Sequence, residues 1–197
     1  LDGASVCIQT GTTTELNLAD FFRTNNMKYE AVTYEQNSEV RPSYLSGRCD
    51  VYTTDASGLA ATRSTFPNPN NHMILPEIIS KEPLGPATRQ GDDNWADIIR
   101  WVYNATVTAE EKGITSANVN SMKTANDPEI LRLLGVEGSQ GAELGLSKDW
   151  AYQIIKQVGN YGEIFERNIG TNTPIGLARG LNDLWTRGGL QYSPPFR

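Results

Sequence analysis

Short apolar runs alternate with amphipathic segments through the first part of the chain. The apolar runs have the length and composition of strands, and they occupy residues 6–9, 28–34, 49–53 and 73–79. Apolar positions at helical spacing fill most of the intervening sequence, over residues 13–24, 39–46 and 56–64. This alternation predicts a parallel sheet, and ligands bind beyond the carboxyl ends of the strands of such sheets. The run at 73–79 is mostly apolar, which predicts a strand buried on both faces.

The sequence after residue 91 predicts helices almost throughout. Asp92 or Asp93 caps a long helix that ends near Lys112, and Gly113 stops it. Asp127 and Ser147 are candidate caps of later helices. These shorter helices are predicted over residues 117–123, 128–134, 148–158, 161–168 and 174–185.

Two of the predicted strands end in small polar residues that suit a zwitterionic ligand. The first strand turns through Gly11 into a helix that Thr12 or Thr13 caps, with Glu15 in its first turn. Such a helix start offers free backbone N–H groups and a partial positive charge to a carboxylate. The third strand ends near Asp55, whose carboxylate suits an ammonium group. An α-amino acid carries both groups.

Composition and motifs exclude several other classes of function. The net charge is −6 with both signs scattered, and no basic stripe points to nucleic acid. No apolar run approaches the roughly 18 residues that a membrane-spanning helix needs. The sequence lacks HExxH, GxSxG and GxxxxGK, and its single histidine, His72, has no placed partner. We therefore expect no cofactor and no metal.

Five phrases carry a resemblance to a known family. They are QTGTTTELNLADFF, GRCDVYTTDASGLAA, LPEIISKEPLGPATRQGDDNW, the region from GVEG to GEIFERNIG, and the ending GGLQYSPPFR. In this order they resemble the periplasmic solute-binding proteins of polar amino-acid ABC importers, and more closely the general L-amino-acid-binding subgroup. The resemblance covers nearly the whole chain.

The resemblance implies a fold and two domains. Residues 1–85 would form the second ligand-binding lobe, an α/β lobe of the type II periplasmic-binding-protein fold with a doubly wound, mostly parallel sheet. Residues 86–197 would form a mainly helical, incomplete part of lobe one. Residues 80–86, with two prolines and a glycine, resemble the return hinge, and residues 87–89 would be the strand that enters lobe one.

The resemblance also implies the ligand contacts. Thr12 and Thr13 would bind the carboxylate and Asp55 the ammonium, although all three could simply cap helices. Gln9 would touch the ligand side chain, or lie in water at the strand end. The weaker candidates are Thr14 and Thr54.

Cys7 and Cys49 lie in two strands that are neighbours in the doubly wound order 2-1-3. A disulfide between them is geometrically possible and fits an oxidising periplasm. The alternative is a pair of buried free thiols, because free cysteine is among the most buried residue types.

The function implied is a periplasmic receptor that delivers L-amino acids to the membrane permease subunits of an ABC transporter. The first part of lobe one has no counterpart here, so we expect the chain alone to bind amino acids weakly or not at all. The missing segment or a second copy of the chain would then be a partner, because the helices of residues 87–197 would otherwise expose apolar faces. The alternatives are an amino-acid-sensing regulatory or receptor domain of the same fold and an amino-acid-processing enzyme.

Overall fold

The computed structural model describes residues 1–81 and 83–197. The chain divides into two compact units, Leu1–Leu84 and Gly85–Arg197. The first unit contains all three strands found in the described residues, and the second contains six of the nine α-helices found there.

The first unit is a three-stranded parallel sheet with helices between the strands. The strand order is β2-β1-β3, the order expected for a doubly wound sheet. In the middle of the sheet, Val6 pairs with Ala31 on one side and with Val51 on the other. The elements are β1 (Ala4–Gln9), α1 (Thr13–Thr24), β2 (Tyr29–Tyr34), α2 (Asn37–Leu45), β3 (Val51–Tyr52) and α3 (Ala56–Ser64). The predicted helix at 13–24 is confirmed to the residue, and the sheet confirms the α/β fold class.

Strand β1 is the buried centre of this unit because its side chains alternate between two apolar clusters. Val6 and Ile8 pack with Leu18 and Phe22 of α1 on one face of the sheet. Cys7 points to the other face. There the structure joins Cys7 to Cys49 in a disulfide beside Val40 of α2, with Cα atoms 5.6 Å apart.

The predicted fourth strand at 73–79 is wrong. The segment follows a 3-10 turn at Pro69–Asn71 and has no strand conformation in the structure. Met73 and Ile78 are 79% and 73% exposed, whereas Ile79 packs beside the α1 cluster. Apolar content alone does not make a strand, because a strand also needs a neighbour to pair with, and no described strand pairs with this segment. Residues 87–89, which the resemblance implied as the strand entering lobe one, also have no strand conformation.

The second unit consists of helices and turns. Its longest helix, α4 (Asp93–Glu111), begins at Asp92, whose side chain accepts a hydrogen bond from the N–H of Trp95. Gly113 follows the helix with a left-handed φ of +65°, as predicted for the stop. The other helices are α5 (Val119–Met122), α6 (Pro128–Leu133), α7 (Gln140–Glu143), α8 (Trp150–Val158) and α9 (Tyr161–Asn168).

The core of this unit joins α4 to α6, α8 and the end of the chain. Ala105, Ala109, Ile155 and Phe196 are fully buried in it. The predicted exposure of apolar side chains is found mostly outside this core. Trp95, near the start of α4, is 49% exposed.

Two local predictions for this unit are wrong. Residues 174–185 form no α-helix but turns, with 3-10 segments at Gly180–Asn182 and Trp185–Arg187. Gly176 and Gly180 adopt positive φ values there, and these interrupt an α-helix. The cap position of α8 is Asp149 rather than Ser147, and its side chain makes no cap hydrogen bond.

Candidate functional site

The turn from β1 into α1 is closed by the hydroxyl of Thr12. This hydroxyl donates to the carbonyl of Gln9 at 2.8 Å and accepts from the N–H of Glu15 at 3.3 Å. Gly11, at φ +71°, provides the left-handed conformation that the turn needs. Of the two predicted caps, Thr12 is therefore the one that the structure uses.

Backbone N–H groups at the start of α1 are available to an anion. The N–H groups of the first turn have no acceptor inside the helix, and Thr13 and Thr14 are its first two residues. The N–H of Gly11 is already used, because it donates to the carboxylate of Glu15 at 2.7 Å. An incoming carboxylate would meet the helix at Thr12 to Thr14, where the macrodipole favours negative charge.

Asp55 lies at the N-cap of α3 but does not cap it. Its carbonyl accepts from the N–H of Leu59 at 2.8 Å, whereas its side chain makes no cap hydrogen bond. No other hydrogen bond or ion pair engages this carboxylate within the described residues. The side chain is half-buried and follows β3 at the same sheet edge as the start of α1. It can therefore accept a hydrogen bond from a cation.

A small depression at this edge brings together four of the six predicted ligand residues. It encloses about 30 Å³, which is space for water but not for an amino acid. Thr13 and Asp55 stand at the neighbouring helix starts but do not line it. The lining residues are Ile8, Gln9, Thr12, Thr14, Asn37, Val40, Tyr52, Thr53 and Thr54.

The depression includes three polar residues that the sequence analysis missed, which are Asn37, Tyr52 and Thr53. The hydroxyl of Tyr52 donates to Oδ1 of Asn37 at 3.0 Å, joining β3 to the start of α2. Burial raises the pKa of the Tyr52 phenol, so the hydroxyl stays protonated. Ligands bind beyond the carboxyl ends of parallel strands, and this indicated Thr12 and Asp55 in the sequence. Asn37 follows β2 at the same sheet edge, so the same argument applies to it.

The side chain of Gln9 is held by the backbone that follows β2. Its Nε2 donates to the carbonyl of Glu35 at 3.1 Å, which leaves its amide oxygen at the depression.

In the described part of the chain, no group of three or more His, Cys, Asp or Glu side chains could hold a metal. No helix described here is long and apolar enough to cross a membrane.

Curated relatives match the whole of this chain. It is 60% identical to the general L-amino acid-binding periplasmic protein AapJ of Rhizobium johnstonii, of which it covers 58%. It is 59% identical to the glutamate/glutamine/aspartate/asparagine-binding protein BztA of Rhodobacter capsulatus, of which it covers 59%. In both cases the alignment spans 100% of the present chain. The chain thus spans less than two thirds of the length of these relatives.

A solved structure agrees with the sequence relatives. An ABC transporter periplasmic binding protein from Brucella ovis, with glutathione bound, superposes on the chain with a TM-score of 0.94 at 58% identity. The match covers 100% of this chain and 62% of that one. No family model matches the sequence. The chain is homologous along its whole length to the amino-acid-binding periplasmic proteins of ABC transporters, and it has the fold of the part of the Brucella ovis protein that it matches.

Proposed function

We propose that the chain binds L-amino acids in the periplasm as part of the substrate-binding component of an ABC importer, and that it is not an enzyme. The observation that carries this proposal is the carboxylate of Asp55. It occupies an N-cap position without capping, at the sheet edge where α1 offers N–H groups to an anion. A half-buried carboxylate without a partner is costly, and a bound ammonium group would offset that cost.

The two charged groups of the ligand have separate contacts. The α-carboxylate accepts from the backbone at Thr12 and Thr13, and the α-ammonium donates to Asp55. One depression is lined by Gln9, Thr14 and Thr54 together with Thr12. In the proposed complex the first three of these residues therefore face the side chain of the ligand.

The range of ligands is broad among related proteins. AapJ is named for general L-amino acids, BztA for glutamate, glutamine, aspartate and asparagine, and the Brucella ovis protein was solved with glutathione. The lining of the depression contains no charged side chain. We include γ-glutamyl peptides such as glutathione among the candidate ligands.

A second surface completes the site. A depression of about 30 Å³ cannot enclose an amino acid, so one side of the ligand has to be covered by other polypeptide. A further segment of protein or a second copy of the chain would supply this surface. The closed, loaded form would then dock on the membrane permease subunits of the transporter.

Titration of the ¹⁵N-labelled chain with L-glutamine, followed by NMR, tests the proposal because it detects weak binding. We expect the amide signals of Thr12, Thr13 and Thr14 to shift and saturate. D55N should weaken binding by about tenfold or more, since it removes the charge opposite the ammonium. An unchanged affinity of D55N would contradict the assignment.

Two controls complete this test. D20N removes an exposed carboxylate on α1 that pairs with Arg23 on the surface, and it should leave the affinity unchanged. L-glutamine recovered after prolonged incubation should be unaltered in mass and chirality. A converted ligand would instead support the enzyme alternative.

A further inference from the structure

The hydrogen bond between Tyr52 and Asn37 fixes the direction of one amide at the candidate site. Because the phenol donates, the oxygen of the Asn37 amide must face Tyr52. The Nδ2 group therefore points away from Tyr52 and carries two N–H donors. No acceptor among the described residues takes either of them.

Each of the other side chains in the lining has at most one N–H or O–H group that is free to donate. One N–H of the Gln9 Nε2 group donates to the carbonyl of Glu35, which leaves its second N–H and its amide oxygen free. The hydroxyl of Thr12 donates to the carbonyl of Gln9. The lining contains no Lys, Arg or His that could serve instead. Asn37 is thus the side-chain amide of the depression whose two N–H groups are both free to donate.

We infer that Asn37 determines specificity by donating a hydrogen bond to an oxygen in the side chain of the ligand. The inference depends on the proposed function, because it takes the ammonium and carboxylate contacts as given. The ligand class is amino acids whose side chain carries a carbonyl or carboxylate oxygen. It comprises glutamine, glutamate, asparagine, aspartate and γ-linked glutamyl peptides, which share this acceptor whether or not they carry charge.

The physical basis is the difference between a paired and an unpaired polar group. When the ligand closes the site, water leaves the depression, and an Nδ2 group without an acceptor loses its hydrogen bonds. A ligand with an oxygen in reach restores them, and a ligand of the same length without one does not. Sites built to hydrogen-bond a ligand group discriminate against analogues that lack it.

The side-chain NH₂ signals of Asn37 provide a direct test in the ¹⁵N-labelled chain. We expect L-glutamine to shift them, and L-methionine, of similar length but without the oxygen, to leave them in place. Shifts at Thr12 to Thr14 without any shift at Asn37 under L-glutamine would overturn the inference while leaving the proposed function intact. No shift at any of these positions would overturn both.

Affinity measurements with variants provide an independent test. N37A should weaken L-glutamine binding by about three- to tenfold, the effect of one hydrogen bond, and leave L-methionine binding unchanged. N70A, in an exposed turn, is the matched control and should change neither. Y52F keeps the Asn37 amide while removing its fixed direction, so it should weaken L-glutamine binding less than N37A does. Equal losses for both ligands in N37A would overturn the inference.

Discussion

The backbone N–H of Gly11 donates a hydrogen bond of 2.7 Å to the carboxylate of Glu15. The N–H of Glu15 in turn donates to the hydroxyl of Thr12, so Glu15 holds the turn through both its side chain and its backbone. A capping box satisfies a helix start in a similar reciprocal way. Glu15 therefore fixes the turn that carries the N–H groups of the candidate site.

We expect E15A to destabilise the first unit by about 1 kcal/mol, because the Gly11 N–H loses its acceptor and the helix its first-turn acid. E15Q should lose less, since an amide oxygen can still accept from Gly11. Urea denaturation followed by far-UV circular dichroism measures the difference. E77A removes a carboxylate that makes no hydrogen bond or ion pair in the described structure, and its midpoint should match that of the unmodified chain.

The disulfide between Cys7 and Cys49 closes a loop of 42 residues across the sheet. Removing it in the double variant C7A/C49A should lower the free energy of unfolding of the first unit by about 2–4 kcal/mol, mainly because the unfolded chain gains freedom. Dithiothreitol should lower the urea midpoint of the unmodified chain and leave that of the double variant unchanged. A midpoint insensitive to dithiothreitol in the unmodified chain would show that the two thiols are not paired in solution.

The sequence predicted best those elements whose signals are local. Helix α1 has a threonine cap, an acid in its first turn and apolar side chains at helical spacing, all within its own residues. The segment at 73–79 has only apolar content in favour of a strand, and a strand needs a neighbour that the segment itself does not specify. The position of Asn37 after β2 is visible in the sequence, but its hydrogen bond to Tyr52, 15 residues away, has no local signal.

Glu110 is the buried centre of an ion-pair cluster in the second unit. Its side chain is 7% exposed and accepts two hydrogen bonds of 3.0 Å from Arg179 and one of 3.1 Å from Arg187. E110A should destabilise this unit by about 3–5 kcal/mol, because Arg179, itself 12% exposed, keeps a buried charge without its main partner. Thermal denaturation measures the loss.

The pair of Arg100 and Asp97 is the matched control for that prediction. These residues also form an ion pair, at 2.9 Å, but their side chains are 67% and 51% exposed. D97A should therefore cost less than about 1 kcal/mol. Similar losses in E110A and D97A would mean that burial of Glu110 adds nothing to its pair with Arg179.

Asp127 links the stability of the second unit to acid pH. Its carboxylate accepts from Nζ of Lys112 at 3.0 Å and from the N–H of Glu129 at 2.9 Å. The hydrogen bond from Lys112, followed by that from the backbone, lowers the pKa of Asp127 below its ordinary value of 3.8. A carboxyl group with a lowered pKa stabilises the fold above its ordinary pKa, and this contribution is lost as the pH falls through the folded-state pKa.

D127N separates this ionisation from the capping role of Asp127, because asparagine is an equally good N-cap but cannot ionise. Between about pH 5 and pH 3, the fall in the free energy of unfolding should be shallower in D127N than in the unmodified chain. The difference should not exceed about 1 kcal/mol, because both Asp127 and Lys112 are partly exposed. Urea midpoints across this range provide the measurement, with E77Q as the control that removes an acid without partners. Parallel pH profiles for the unmodified chain and D127N would show that the contact with Lys112 contributes nothing to acid stability.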